Sequence, residues 1–193
     1  MNICVFGAAS SEIDYKYINS GEKMGERLAE QGHNLVFGAG AQGLMGAAAR
    51  GFKKGGARIT GVIPEFFKDA DIEAIYTDCD ELIFTQTMRE RKAEMENRAD
   101  VFVIAPGGIG TFEEFFEVLT LKQLGRHTKP IAIYNIDGYY DAMEAMFNNS
   151  VREKFVYDSC RSLYRYVTDI EGMLSYIDEN NPSDYSVKDM KNG

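Results

Sequence analysis

Short apolar runs alternate with longer amphipathic stretches along the whole chain. NICVFG (2–7) has the unbroken apolar character of a buried strand. A helix is predicted at about 14–31 on Ile18, Met24 and Leu28, ended by Gly32 as a helix C-cap glycine. NLVFG (34–38) predicts a second strand, 38–56 a glycine loop running into a helix of small residues, and RITGVI (58–63) a third strand stopped by Pro64. The acidic span 65–80 reads mostly as loop. Beyond it, strands are predicted at 81–85, 100–105, 129–135 and 163–167, and helices at 88–99, 111–125, 137–153 and 169–179. The polar segment 181–193 reads as a flexible C-terminal tail.

Strands that are apolar throughout, alternating with helices, predict a parallel sheet covered on both faces. The expected fold is α/β, a single Rossmann-like doubly wound domain over residues 1–180. Ligands in such sheets bind outside the carboxyl ends of the strands. Two glycine-rich loops are expected at that edge.

Charge and composition narrow the choice of ligand. A net charge of -9 argues against a nucleic-acid polymer, which needs a basic face to displace counterions. Cys4, Cys79 and Cys160 are scattered without CxxC spacing, which points to reduced thiols in a cytoplasm. The N-terminus lacks the basic region of a signal peptide. No apolar run approaches the ~20 residues a membrane span requires. His33 and His127 are too few and too far apart to suggest a metal site. His127 follows a predicted helix, where a cation favours the dipole.

The first loop places Gly38, Gly40 and Gly43 in a G-x-G-x-x-G pattern after a strand and before a helix, which suits a phosphate. A dinucleotide site wants this motif after the first strand and an acid about 20 residues on. Here it follows the second predicted strand, so a mononucleotide is the better reading, with close helix packing as the structural alternative. A G-x-x-x-x-G-K-[ST] motif is absent. The second loop, Gly107-Gly108-Ile109-Gly110-Thr111, also joins a strand to a helix. Two such loops at one sheet edge predict a cleft with two helix N-termini aimed into it.

Met88, Arg91, Lys92, Met95 and Ala99 fall on one helical face. Arg91 either lays its stem along apolar surface with its head in water or points into the cleft to meet an anion. Arg89 and Glu90 read as solvated. Thr111-Phe112-Glu113-Glu114 fits a capping box, with Phe112, Phe115, Phe116 and Leu119 as the core face. On pattern alone Glu114 is a cap, although its place beside a glycine loop also faces it toward the strand ends.

Several segments together resemble the LOG ("lonely guy") family, the cytokinin riboside 5'-monophosphate phosphoribohydrolases. Pro106 to Glu114 matches the family's PGGxGTxxE, Met88 to Met95 resembles its M-H-x-R-K-A-x-M, and Phe37 to Gly46 its Y-G-G-G-x-x-G-L-M-G. Shorter matches include Val5-Phe6-Gly7, Gly61 to Pro64 and Asp137-Gly138-Tyr139-Tyr140. The resemblance spans about residues 3–150. Ala39 stands where the family has glycine and Arg89 where it has histidine, departures that bear on nucleobase preference. The resemblance implies hydrolysis of the N-glycosidic bond of a nucleoside 5'-monophosphate, with Arg91 and Glu114 catalytic. It implies substrate contacts at Gly40, Glu73, Met88, Lys92, Gly107, Gly108, Ile109, Gly110, Thr111, Phe112, Glu113 and Thr120. It implies no metal, no cofactor and a homodimer. Members were long described as lysine decarboxylases, but the chain shows no recognisable pyridoxal-phosphate lysine motif. A nucleotide-binding or carrier protein without turnover is the alternative, and an NAD(P) oxidoreductase a third class.

Overall fold

The apolar runs become the strands of one sheet. A computed structural model describes residues 1–68 and 74–179. The strands are β1 (Asn2–Phe6), β2 (Asn34–Phe37), β3 (Ile59–Pro64), β4 (Glu81–Thr85), β5 (Val101–Ile104), β6 (Ile131–Tyr134) and β7 (Arg165–Val167). Their spatial order is β4-β3-β2-β1-β5-β6-β7, and every pairing is parallel. The helices are α1 (Tyr15–Glu30), α2 (Gly43–Lys54), α3 (Met88–Arg98), α4 (Ile109–Gln123), α5 (Asp141–Arg152) and α6 (Ile170–Asp178). This is the expected Rossmann-like architecture.

Strand alternation sorts the core into two layers. Ile3, Val5, Val101 and Val103 face one layer with Met24 and Leu28 of α1, Leu44 and Phe52 of α2, and Met173 and Ile177 of α6. Cys4, Phe6, Phe102 and Ile104 face the other with Met95 of α3 and Phe115, Val118 and Leu119 of α4. Strand order runs outward in both directions from β1 and β5. The crevice between their carboxyl ends is therefore the topological switch point, where ligands bind in open α/β sheets.

Three local expectations are corrected. The helix expected at 111 begins at Ile109. The helix expected at 137 begins at Asp141, behind a 3₁₀ turn over Ile136–Gly138 in which Asp137 and Gly138 have φ of 50° and 74°. Asn135 accounts for this delay: its side chain accepts from the Tyr140 N–H at 2.7 Å and donates to Asp141 at 2.8 Å. His127 is not a cation serving a dipole. Its Nδ1 accepts from the Lys129 N–H at 3.2 Å, its Nε2 lies 2.8 Å from the Val118 carbonyl, and burial lowers its pKa. It is a neutral imidazole.

In the span expected as loop, Glu65–Phe67 form a 3₁₀ turn and Ile75 makes an antiparallel bridge to Gly40. Glu73 and the expected tail, 181–193, lie outside the described residues. Among the described residues no helix is long and apolar enough to cross a membrane, and no cluster of His, Cys, Asp or Glu could hold a metal ion.

Candidate active site at the sheet switch point

A cavity of about 320 Å³ opens at the switch point. The end of β1 and the following Gly7-Ala8-Ala9-Ser10 form one wall, and Gly108, Gly110, Thr111 and Glu114 at the start of α4 the other. Gly38, Met45, Arg91 and Met95 complete the lining. Its size lies at the lower end of the range for small-molecule sites.

Helix α4 starts directly at this cavity. Gly108 is its N-cap, with extended backbone and no capping side chain. Its carbonyl accepts the first helical bond, from Phe112 N–H at 3.0 Å. The N–H groups of the first turn thus precede any intrahelical acceptor and are open to a ligand, which the helix dipole favours as an anion. The expected capping box is not formed. Thr111 is the third residue of the helix rather than its cap, and Glu114, a full turn further in, cannot reach back. The glycines permit the earlier start, and Thr111 packs into the notch at Gly107, where a Cβ would lie 2.1 Å from the threonine Oγ1. Of the expected core face, Phe115 and Leu119 are buried, but Phe116 is 37% exposed. A side-chain cap does form one helix earlier. Thr87 Oγ1 accepts from Glu90 N–H at 3.1 Å, and the Glu90 carboxylate accepts from Gln86 N–H at 2.7 Å. That cap fixes the start of α3 and, one turn on, Arg91.

Arg91 is buried, 6% exposed, and its head does not reach bulk water. Nε donates to the Val62 carbonyl at 3.1 Å and Nη2 to the Gly38 carbonyl at 3.0 Å. The guanidinium is thus pinned beneath the ends of β3 and β2 while lining the cavity. Among the described residues it has no carboxylate within 4.0 Å. Gly38 is required by this arrangement: a Cβ there would lie 1.7 Å from Arg91 Nη2.

Glu114 faces the same cavity. Burial pushes its pKa up from 4.5 to about 7, only partly offset by the Arg91 charge, while Glu113 adds to the rise. A carboxyl poised near neutrality in a cleft beside a buried arginine marks this cavity as a candidate functional site.

The first glycine loop plays a different part from the one expected. Gly43 has φ of 61°, and a Cβ on it would come within 2.4 Å of the Ala8 carbonyl oxygen. The Met45 N–H at the start of α2 is spent on that same carbonyl, at 3.0 Å. Among the described residues α4 presents the open N-terminus to the cavity, and α2 braces the β1–α1 loop. Ala39 sits at φ 59°, in the left-handed region that costs a side chain about 1–2 kcal/mol.

The remaining assigned residues lie around the cavity or away from it. Lys92 pairs with Glu113 and Glu117 between α3 and α4. Gly40 is buried in its bridge to Ile75. Met88 is 39% exposed, its sulfur 4.0 Å from Arg91 Nη1. Phe112 lies edge-on to Tyr140. Ile109 is 87% exposed. Thr120 is exposed nine residues beyond Thr111, about 14 Å along the helix. Sequence reasoning did not assign the Ala8-Ala9-Ser10 wall. The one available signal was that this loop follows the first strand, which a doubly wound sheet places at its centre.

A family model described as "Possible lysine decarboxylase" matches residues 45–177. A cytokinin riboside 5'-monophosphate phosphoribohydrolase of Arabidopsis thaliana is 37% identical over 180 residues, 93% of this chain and 84% of that protein. A probable enzyme of the same name from Oryza sativa subsp. japonica is 36% identical, covering 93% of this chain and 78% of that protein. Among solved structures, the molybdenum cofactor carrier protein of Chlamydomonas reinhardtii superposes with a TM-score of 0.70 at 21% identity, over 93% of this chain and 96% of that one. The molybdenum cofactor binding protein of Rippkaea orientalis does so with 0.70 at 18%, over 92% and 95%. At those identities the likeness is one of fold.

Proposed function

Because the chain belongs to the family of the cytokinin riboside 5'-monophosphate phosphoribohydrolases, we propose that it hydrolyses the N-glycosidic bond of a nucleoside 5'-monophosphate, releasing free base and ribose 5-phosphate. The observation that carries this reading is the meeting of Arg91, Glu114 and the open N-terminus of α4 in one cavity at the switch point.

The division of labour follows from charge. The 5'-phosphate takes the N–H groups at the start of α4, where the dipole and the unpaired donors favour an anion. Arg91, desolvated and pinned by two carbonyls, supplies the positive charge that the anion lacks elsewhere in the cavity. As the bond to the base breaks, positive charge grows on the ribose. The Glu114 carboxylate stabilises that charge and takes a proton from the water that attacks the anomeric carbon. The departing base carries the bonding electron pair and takes a proton at its ring nitrogen from solvent, to which Glu114 returns the proton of the attacking water. The bases considered are a cytokinin and adenine, and the free thiols Cys4, Cys79 and Cys160 suit a cytoplasmic setting. Exposed Ile109, Phe116 and Met146 on α4 and α5 suit the pairing of two copies. Light scattering on the full chain should give twice its 21.6 kDa mass.

The test is incubation with AMP and a panel of nucleoside monophosphates, following free base and ribose 5-phosphate by chromatography. Equal amounts of the two products support hydrolysis. Tight binding with no release of base from any nucleotide would overturn it and favour a carrier.

A further inference from the structure

The glycine loop before α4 is braced through three consecutive carbonyls. The Ala105 carbonyl accepts from Tyr140 Oη at 2.8 Å, that of Pro106 from the Ala8 N–H at 3.0 Å, and that of Gly107 from Tyr139 Oη at 2.6 Å. The first two braces are internal to the fold. The third comes from a side chain 40% exposed at the rim, its ring edge-on to Tyr17 and Tyr140.

A trans peptide is planar, with C=O and N–H on opposite sides. The hydroxyl that holds the Gly107 carbonyl therefore turns the Gly108 N–H the other way, and Gly108 itself lines the cavity. The residues on both sides of this peptide are glycines, which offer little steric resistance to rotation. A Cβ on Gly108 would meet nothing within 4 Å, so the loop is open on that side. Rotation by half a turn would present a carbonyl oxygen to an incoming anion where an N–H is needed.

We propose that Tyr139 is a positioning residue for the phosphate: its hydroxyl locks the Gly107–Gly108 peptide with the N–H facing the ligand. Tyr139 is itself aimed by the turn before it. Its N–H donates to the Ile136 carbonyl at 3.1 Å, and Asp137 in that turn pairs with Lys16 at 3.0 Å. The inference rests on the nucleoside monophosphate reading of this site.

The test is Tyr139→Phe, which removes one oxygen and keeps the ring contacts. Three quantities are measured on both proteins: KM for AMP, and the inhibition constants of ribose 5-phosphate and of free adenine. The KM and the ribose 5-phosphate constant should each rise roughly tenfold, as expected for one lost hydrogen bond to an anion. The adenine constant should stay unchanged, and the Tm should fall by no more than about 2–4 °C, the cost of one internal hydrogen bond. An unchanged ribose 5-phosphate constant, or equal weakening of both inhibitors, overturns the proposal. Should the wild type release no base from AMP, the reaction assignment has failed on its own. Ribose 5-phosphate and adenine are then titrated by calorimetry into both proteins, and equal ribose 5-phosphate affinities refute the lock.

Discussion

Replacing Glu114 with glutamine removes a charge while nearly preserving shape, and the structure predicts opposite effects on stability and on turnover. The carboxyl is held near pKa 7 against an ordinary 4.5. Folding therefore favours its protonated form, and the wild type loses stability as pH rises from about 4.5 to about 7, after which the penalty is complete. At about 1.36 kcal/mol per pH unit, that interval sets a ceiling of roughly 3 kcal/mol. Glutamine resembles the protonated acid and carries no such penalty. Glu114→Gln should melt with the wild type at pH 4 and several degrees above it at pH 8, since about 1 kcal/mol moves Tm by ~2–4 °C in a chain of this size. The raised pKa of Glu96 is common to both proteins and cancels. Turnover on AMP should fall by about 100- to 1000-fold at pH 8, the usual loss of one well-placed electrostatic group, and the gap should narrow toward pH 5, where the wild-type carboxyl is protonated. Wild-type kcat/KM should rise with pH, reach half its plateau near 7 and level off about one unit above, as the free enzyme's Glu114 ionises. Parallel melting curves from pH 5 to 8 would refute the desolvated carboxylate, and retained turnover would refute its catalytic role.

Other outcomes follow from the same cavity. Gly38→Ala should expel the Arg91 guanidinium, because the new Cβ would overlap Nη2 at 1.7 Å; turnover should collapse while circular dichroism still shows the fold. Full activity in that variant would mean Arg91 is not held as described. Arg91→Lys keeps a charge but cannot donate to both the Val62 and Gly38 carbonyls and still face the ligand, so kcat/KM should drop about 100-fold. A drop of less than threefold would leave only a point charge to explain.

The site was partly legible from the chain. The apolar period of the strands located the sheet edge, and the glycine loop before α4 marked one wall of the cavity. The helical spacing of Met88, Arg91 and Met95 left Arg91 either snorkelling or buried, and the structure decides for burial. Thr-x-x-Glu occurs at both Thr87 and Thr111, yet only Thr87 caps its helix, because the backbone at Gly108 lets α4 start two residues early. Pattern cannot see that choice. For the Gly38, Gly40, Gly43 motif, spacing leaves a phosphate site and close helix packing both open, and its outer members give clearance to Arg91 and to the Ala8 carbonyl.

Local physics settles what the sequence alone determines: strand and helix identity from apolar period, parallel pairing from alternation, and the concentration of glycines at one edge. Tertiary structure decides what depends on residues far apart in the chain. It buries Arg91 under two strands that precede it, lifts the Glu114 pKa by surrounding it, and brings Tyr139 to a carbonyl 32 residues away. Desolvation and long-range contact are properties of the packed chain, and no window of sequence contains them.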